Sequence, residues 1–582
     1  MRADMQQSGM NINVYGSVLS IQELRTQRRK KGECISCGRK CFDKRPFPLK
    51  SIPLNIEGEV LNGRCLVCDP IENDNARVTS RHNHESLKQS SSSNLSVSNR
   101  RRNSNISLTH PDDPPSSTSR LDASEGQRNG MIDRRSILKG SKSKQKVSSI
   151  HTSIRRIQTT SSVTDIVTEM QENRSVSDVQ LEACEKLGSI TLSETDRIAI
   201  AEQGGLQSVV DAMKSHPDDA TIQETSCRAL WNLSTTEINQ IAIAEGGGIT
   251  SIIKAMTKFD TQSSLQEKAV AALSNLGAIE ENQTIILKEG GIAAIVDAMN
   301  KNLENIDVQE KGCAAITNLA SRSKEIKKGI AEAAGIIAII NAMAFHECDP
   351  DLQEKALRAL RNMCANNDEN KKLVAEAQGI GYVICAMQNH RSDPGLQEQG
   401  CWTLSYLAGN RDNKKFIGAN GGIDCIVYAM WTHYDKASIQ EWACRALWTL
   451  CVDYDNKIVV AKIGGIPAIV NAMRTHQSVA AVQEKGCGVF ANLAANSDEN
   501  KIKIVEDEGL DVIVMAMMIH PDKKPVQDRA CSALRKLAFG PNIPALQAFG
   551  VPNVLTQAKE KFPKECGKKV DEIMKMLRTV EE

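Results

Sequence analysis

From about residue 162 to the C-terminus, apolar residues recur at the three- and four-residue spacing of amphipathic helices. Within this region one sequence motif occurs nine times. It consists of an aliphatic residue, a glutamine and usually a glutamate, followed by apolar residues three, four and seven places after the glutamine. The glutamines are Gln180, Gln223, Gln266, Gln309, Gln353, Gln397, Gln440, Gln483 and Gln527. Neighbouring glutamines are 43 or 44 residues apart. Such a constant period predicts a stack of equivalent units, each covering the apolar face of its neighbour.

One unit, residues 366–408, shows the helices that the pattern predicts. A short first helix follows the N-cap candidate Asn367, and a second helix begins at Ile380. A third helix, Gly395–Leu407, contains the glutamine motif. Glycine pairs recur between the first two helices, where a tight turn requires positive φ. These pairs are Gly204-Gly205, Gly290-Gly291, Gly421-Gly422 and Gly464-Gly465.

The third helix divides into two faces when each residue is given about 100° of turn. Numbered from the recurring glutamine, positions −1, 3, 4, 7 and 10 are apolar and share one side, which we assign to the core. Positions 1, 2, 5, 8 and 9 share the opposite side. The sequence therefore predicts that contacts with another molecule are made by this outer stripe.

Three helices in about 43 residues, with Gly-Gly between the first two, closely resemble the armadillo repeat over roughly residues 165–582. The resemblance implies an all-α fold, a right-handed armadillo-type α-solenoid of about nine repeats at residues 162–582. Thr164–Asn173 and Cys566–Val580 are the expected terminal caps. The resemblance also implies a monomeric protein-binding scaffold or adaptor that holds an extended peptide segment of a protein partner in its concave groove.

Position 9 is asparagine in five of the nine repeats: Asn232, Asn275, Asn318, Asn362 and Asn492. An amide both donates and accepts, so a row of asparagines can bind the N–H and C=O groups of an extended peptide. In armadillo proteins the asparagines at this position hold the backbone of the bound peptide, and the resemblance implies the same role here. The alternative is that asparagine is simply tolerated near a helix end.

Position 5 carries Arg228, Arg358 and Arg445, which could favour acidic peptides. Each has a glutamate four residues earlier, a pairing that would partly neutralise it. Nuclear-import adaptors of this fold carry tryptophan repeatedly at position 5, and here only Trp402 does. An adaptor of the importin-alpha type for nucleocytoplasmic transport is therefore a second hypothesis rather than the first.

Four of the five tryptophans project from the outer stripe in a chain with only 3% aromatic residues. They are Trp231, Trp402, Trp442 and Trp448, and Tyr406 lies in the same region. Large rings left uncovered usually mark a contact site, so we predict a binding hot spot near residues 402–448. The alternative is that the rings pack against the neighbouring helix.

The N-terminal part of the chain has a different composition. Residues 1–33 form a basic segment that we expect to be disordered, and residues 69–161 are a Ser- and Arg-rich stretch that we expect to be a disordered linker. Between them, residues 34–68 hold two Cys-x2-Cys pairs, Cys34 with Cys37 and Cys65 with Cys68. Four thiolates in this spacing predict one structural zinc ion in a module that resembles a zinc ribbon, and free thiols are the alternative.

Charge and cysteine content restrict the other functions. Residues 1–160 carry 28 Lys and Arg against 15 Asp and Glu, a net charge of +13, which leaves −12 for the rest of the chain. A third hypothesis is therefore a nucleic-acid-associated protein that uses the zinc module and the basic arm, although nucleic acid is the less favoured partner. Eighteen cysteines favour a reducing compartment, the cytoplasm or the nucleus. We find no membrane-spanning stretch and no catalytic motif, so we expect a protein that is not an enzyme.

Overall fold

The computed structural model describes residues 134–189 and 193–578, and for residues 134–146 it describes the backbone alone. The predicted zinc module, with Cys34, Cys37, Cys65 and Cys68, lies outside the described residues, as do the basic segment and most of the linker. Those statements stay predictions.

Thirty α-helices and one short 3-10 helix make up the described part of the chain, which contains no β-strand. In chain order the α-helices are α1 (Arg134–Thr159), α2 (Val163–Glu172), α3 (Ser177–Ser189), α4 (Glu194–Glu202), α5 (Gly205–Ser215), α6 (Ala220–Leu233), α7 (Glu237–Glu245), α8 (Gly248–Lys258), α9 (Ser263–Leu276), α10 (Glu280–Lys288), α11 (Gly291–Lys301), α12 (Ile306–Leu319), α13 (Lys324–Glu332), α14 (Gly335–Phe345), α15 (Pro350–Cys364), α16 (Asp368–Glu376), α17 (Gly379–Asn389), α18 (Pro394–Leu407), α19 (Arg411–Ala419), α20 (Gly422–Thr432), α21 (Ala437–Leu450), α22 (Tyr454–Lys462), α23 (Gly465–Thr475), α24 (Ala480–Leu493), α25 (Asp498–Glu506), α26 (Gly509–Ile519), α27 (Lys524–Leu537), α28 (Ile543–Ala548), α29 (Val551–Lys561) and α30 (Pro563–Arg578).

These helices form a repeat solenoid of three-helix units, as the period predicts. The recurring glutamines lie in every third helix, from α3 to α27. Helix α2 precedes α3 as a lone second helix, and α30 ends the stack as a last third helix. The all-α, armadillo-type architecture predicted from the sequence is therefore confirmed.

Helix α1 differs from the sequence prediction, which placed residues up to 161 in a disordered linker. Ile157 is fully buried, and Ile150 and Ile154 pack against the core of the solenoid. The spacing of these three isoleucines puts them on one helical face, so a few apolar side chains suffice to dock this helix although the surrounding sequence is polar. The C-terminal end of the predicted linker, from Ile150 to Thr159, is thus helical and docks on the solenoid.

The recurring glutamine joins the second and third helices of each unit. In the unit of α14 and α15, Nε2 of Gln353 donates to the carbonyl oxygens of Met343, at 2.8 Å, and His346, at 3.0 Å. The same pair of bonds recurs in all nine repeats at 2.8–3.1 Å. A helix end leaves carbonyls without intrahelical partners, and this glutamine bridge satisfies two of them in a buried place.

Two further rows of side chains tie each unit to the one before it. Six of the ten histidines follow a second helix and bond through Nε2 to a carbonyl oxygen of the preceding unit at 2.6–2.9 Å. They are His216, His346, His390, His433, His476 and His520. In the first helices, asparagines such as Asn282 donate to a backbone carbonyl of the preceding first helix, here that of Gln240 at 3.1 Å. From His346 to His520 the histidines recur every 43 or 44 residues, at the repeat period.

The glycine pairs between the first and second helices have two separate causes. The first glycine has positive φ, for example 80° at Gly464, but Ala334, Gln378 and Glu508 adopt the same conformation in other units. The second position is glycine in eight of the nine three-helix units, and Val551 occupies it in the last unit. A Cβ at Gly465 would lie 2.7 Å from the carbonyl oxygen of Val460 and 2.5 Å from its Cγ1. Close approach of the two helices, more than the turn, requires glycine there.

Cysteines at position 4 of the third helices are buried in the core as small apolar side chains. Burial raises the pKa of the Cys227 and Cys444 thiols to about 12. They therefore stay protonated near neutral pH, in a form that reacts slowly.

No single helix among the described residues is long and apolar enough to cross a bilayer. Two pairs of successive helices, α13 with α14 and α22 with α23, reach that length and composition only together, and each pair is bent, by 65° and 74°.

We expect Gln353→Ala to destabilise the α14–α15 unit by about 1–3 kcal/mol, because two buried carbonyls lose their donors. Hydrogen exchange at the end of α14, followed by mass spectrometry, measures this locally. Gln477→Ala is the matched control, since that side chain is exposed. Equal protection in both variants would contradict a structural role for the glutamine bridge.

The two members of a glycine pair should respond differently to alanine. Gly464→Ala leaves nothing within 4 Å of the new Cβ and should cost about 1 kcal/mol, because only the left-handed backbone is strained. Gly465→Ala should cost more, toward the upper end of about 1–3 kcal/mol, since a backbone carbonyl must move. Urea denaturation followed by circular dichroism compares the midpoints, and the reverse order would contradict the assignment.

Candidate functional site

The third helices line the inner side of the solenoid. Third helices of neighbouring units contact each other along their lengths, whereas first and second helices touch their counterparts at fewer places. Helices that lie closest together in a curved stack are on its concave side. We call positions 1, 2, 5, 8 and 9 of the third helices the groove face, and its residues are mostly half-buried or exposed.

The five predicted asparagines all lie half-buried on the groove face, where each donates through Nδ2 to a backbone carbonyl at the end of the preceding third helix. The acceptors are Gly188 for Asn232, at 3.0 Å; Trp231 for Asn275, at 3.3 Å; Ser274 for Asn318, at 2.8 Å; Thr317 for Asn362, at 2.9 Å; and Trp448 for Asn492, at 2.7 Å. The amides thus connect successive units, a structural role absent from the sequence hypothesis. In four of the five residues it leaves the acceptor oxygen of the amide uncommitted.

Asn362 is different from the other four. Its Oδ1 accepts from Nε and Nη2 of Arg361, at 3.2 and 3.1 Å. No described residue donates to Oδ1 of Asn232, Asn275, Asn318 or Asn492. Asn362 therefore positions an arginine, while the other four present an acceptor row along the groove face.

Residues on the groove face meet along diagonals that cross three successive units. Position 8 of one third helix lies beside position 5 of the next and position 2 of the one after. Arg361, Trp402 and Trp442 occupy one such diagonal and are stacked: the Arg361 guanidinium carbon is 3.9 Å from the Trp402 ring centre, and the two indole ring centres are 3.8 Å apart at 12°. The diagonal is a continuous column of planar groups.

The two other tryptophans of the groove face follow the same rule. The Trp448 ring, at position 8, packs over Gly488, where an added Cβ would lie 2.9 Å from the indole. Arg529, at position 2 of the next unit but one, has its guanidinium carbon 4.8 Å from the ring centre. For Trp231, Nζ of Lys311 is 5.3 Å from the ring centre. Each position-8 tryptophan thus has a cation of the protein itself over its ring.

Tyr406 joins the central column from the side. Its ring centre is 6.4 Å from that of Trp402, and the guanidinium carbon of Arg445 lies 5.8 Å from the Tyr406 ring and 5.6 Å from the Trp442 ring. All these rings are half-buried: they pack on neighbouring helices and also keep an accessible surface. We name Arg361, Trp402, Tyr406, Trp442 and Arg445 the central cluster.

The ion pairs of the position-5 arginines differ from the prediction in two of three cases. Arg358 does pair with Glu354, at 2.7 Å. Arg228 pairs with Glu185 of the preceding unit, at 3.3 Å, because neighbouring third helices approach closely enough for a cross-unit contact. Arg445 has no carboxylate partner within the described chain.

Three cations that lie over tryptophan rings were not among the binding residues predicted from the sequence: Arg361, Lys311 and Arg529. All three occupy outward positions of the helical wheel, so their exposure could be predicted. Their contacts could not, because these depend on how far successive third helices are offset along their axes. Burial, and after it the nearby charge of Arg358, lowers the pKa of Arg361 from its usual value.

Comparison with known proteins agrees with the fold described above. The helical order and the groove face define an armadillo-type repeat solenoid. A family model described as LRRK2 ARM repeat matches residues 166–501, more than half of the chain, and the chain belongs to that family. No curated protein matches the chain.

Solved structures show the same fold. A crystal structure of an engineered protein from the Northeast Structural Genomics Consortium is 24% identical, with a TM-score of 0.64 over 72% of this chain and 98% of that chain. A second structure, described as "A conserved phosphorylation switch controls the interaction between cadherin and beta-catenin in vitro and in vivo", is 15% identical, with a TM-score of 0.53 over 72% of this chain and 92% of that chain.

A double-mutant cycle tests the central column. We expect Trp402→Leu and Trp442→Leu to be coupled by about 0.5–1.5 kcal/mol in the free energy of unfolding, because each substitution removes the stacking partner of the other. Trp231→Leu with Trp448→Leu is the matched control, since these rings lie on separate diagonals and should add independently. Additivity of the Trp402 and Trp442 substitutions would contradict the stack.

Proposed function

We propose that this chain is a protein-interaction scaffold that binds an extended segment of a partner along the groove face. The observation that carries the proposal is the row of uncommitted amide oxygens of Asn232, Asn275, Asn318 and Asn492. Backbone amides of an extended peptide are donors that such a row can satisfy without reading the peptide's sequence.

The central cluster supplies anchoring between these asparagines. Aromatic and arginine side chains that are partly covered and rigidly held lose little entropy on binding and dominate the energetics of many interfaces. The stack of Arg361, Trp402 and Trp442 is already assembled in the free protein. We therefore place the affinity of the interaction at the central cluster and the alignment of the peptide at the asparagine row.

Selection of linear peptides from a display library, with the full chain as bait, provides a defined ligand for the test. We expect Asn275→Ala/Asn318→Ala to weaken the selected peptide by roughly tenfold, because two hydrogen bonds of about 0.5–1.5 kcal/mol each are lost. Fluorescence anisotropy with labelled peptide measures the affinity.

The control must separate groove contacts from solenoid stability, since the groove asparagines also connect units. Asn239→Ala/Asn282→Ala serves this purpose: both side chains are buried in first helices and donate to the preceding unit. This variant should lose thermal stability but keep its peptide affinity. An equal loss of affinity in both double variants, or an unchanged affinity in the groove variant, would overturn the proposal.

A further inference from the structure

Most cations on the groove face are neutralised by a neighbouring carboxylate. Lys268 pairs with Glu267 at 2.8 Å, Lys485 with Glu484 at 2.9 Å, and Lys355 with Glu310. Arg228 and Arg358 are paired as described above, and Arg529 lies 3.9 Å from Asp528. In the part of the groove face that the structure describes, Arg361 and Arg445 of the central cluster have no ion pair. Lys311 and Lys536, at positions 2 and 9 of other third helices, have none there either.

Arg361 is held in place by neutral groups. Its three side-chain hydrogen bonds run to Oδ1 of Asn362 and, from Nη1, to Oε1 of Gln399 at 2.7 Å. A guanidinium has five N–H donors, so two remain. The nearest acid on the following third helix, Glu398, accepts from Ser438 Oγ at 2.6 Å and raises the pKa of Arg361 only as the smallest of several influences.

The central cluster also contains a donor without an acceptor. The Nε1–H of Trp402 is buried and has no hydrogen-bond partner among the described residues. Buried donors in this situation are rare, and here one lies directly beside the Arg361 guanidinium.

Several ring faces of the groove tryptophans are already occupied by groups of the protein itself. Trp402 has the Arg361 guanidinium on one face and the Trp442 indole on the other. Trp231 and Trp448 each have a lysine or arginine of the chain over the ring. A basic peptide would have to displace these cations and would meet two uncompensated arginines, so like-charge repulsion opposes it.

We propose that the central cluster binds an acidic side chain of the extended partner segment, with Arg361 and Arg445 as the recognition residues. This inference rests on the proposed function and names the chemistry of its ligand. The carboxylate engages the remaining donors of Arg361, and Arg445 approaches from the third helix two units further along the stack. Asn362 and Trp402 act as positioning residues that fix the plane of the Arg361 guanidinium.

The test uses the same peptide selection on the full chain. We expect the selected peptides to share an aspartate or glutamate, and we expect Arg361→Gln and Arg445→Gln each to weaken the binding of such a peptide by roughly tenfold or more, the loss expected for a charge-assisted pair. Arg361→Lys should recover only part of the affinity, because it keeps the charge but not the planar fork. Arg228→Gln is the matched control, since that arginine faces the same groove but already pairs with Glu185.

A cycle between protein and peptide identifies the contact. Replacing the shared acid of the peptide by its amide should cost as much as Arg361→Gln, and the two losses should not add. Arg445→Gln lies outside the Arg361–Trp402 contact and keeps the proposal testable if Arg361→Gln disturbs the stack. Full additivity, or an equal loss in Arg228→Gln, would overturn the inference.

The outcomes separate the two proposals. Selected peptides that are neutral or basic, and whose affinity still falls in Asn275→Ala/Asn318→Ala, would overturn the acidic site and leave the scaffold standing. Peptides that are indifferent to every groove substitution would overturn both.

Discussion

The glutamine bridge is the interaction on which the architecture depends. A side-chain amide has two N–H groups, and in each of nine repeats both are used by carbonyls near the end of the second helix. Because the glutamine sits at a fixed place in the third helix, this bond sets where the chain turns and which side of the third helix faces the core. Repetition of the bond makes the groove face the same in every unit, so the position of a residue in its repeat determines its exposure.

The side chains of the groove face that stabilise the solenoid are the same ones to which we assign recognition of a partner. The asparagines bond to the preceding third helix through the N–H of the amide, and in four of the five no described residue donates to the amide oxygen. The tryptophans pack on neighbouring helices yet keep an accessible edge. The sequence allowed two purely structural interpretations: asparagine tolerated near a helix end, and tryptophan packed on its neighbour. Because the same side chain can serve both purposes, neither interpretation excludes a role in binding.

The sequence predicted the helical units, the core stripe and the outward stripe because these depend on local periodicity. Gln353 and its counterparts marked the period, and the apolar spacing around them marked the buried side. The sequence did not predict contacts that depend on the offset between units: the column of Arg361, Trp402 and Trp442, or the pairing of Arg228 with Glu185 instead of Glu224. The docking of α1 was also not predicted, because its three isoleucines lie in a polar stretch whose composition is typical of a linker.

The diagonal arrangement has a consequence for how such a chain can change over evolution. Suppose that one whole unit of 43 or 44 residues is deleted or duplicated. Each recurring glutamine, histidine and first-helix asparagine would then find an equivalent backbone carbonyl as its hydrogen-bond acceptor, so the fold would be kept. The columns of the groove would not survive, since each draws one residue from three consecutive units. Gain or loss of a unit would therefore create new neighbours for the planar and charged groups in one step. The solenoid can therefore keep its fold while the side-chain contacts on its groove face change.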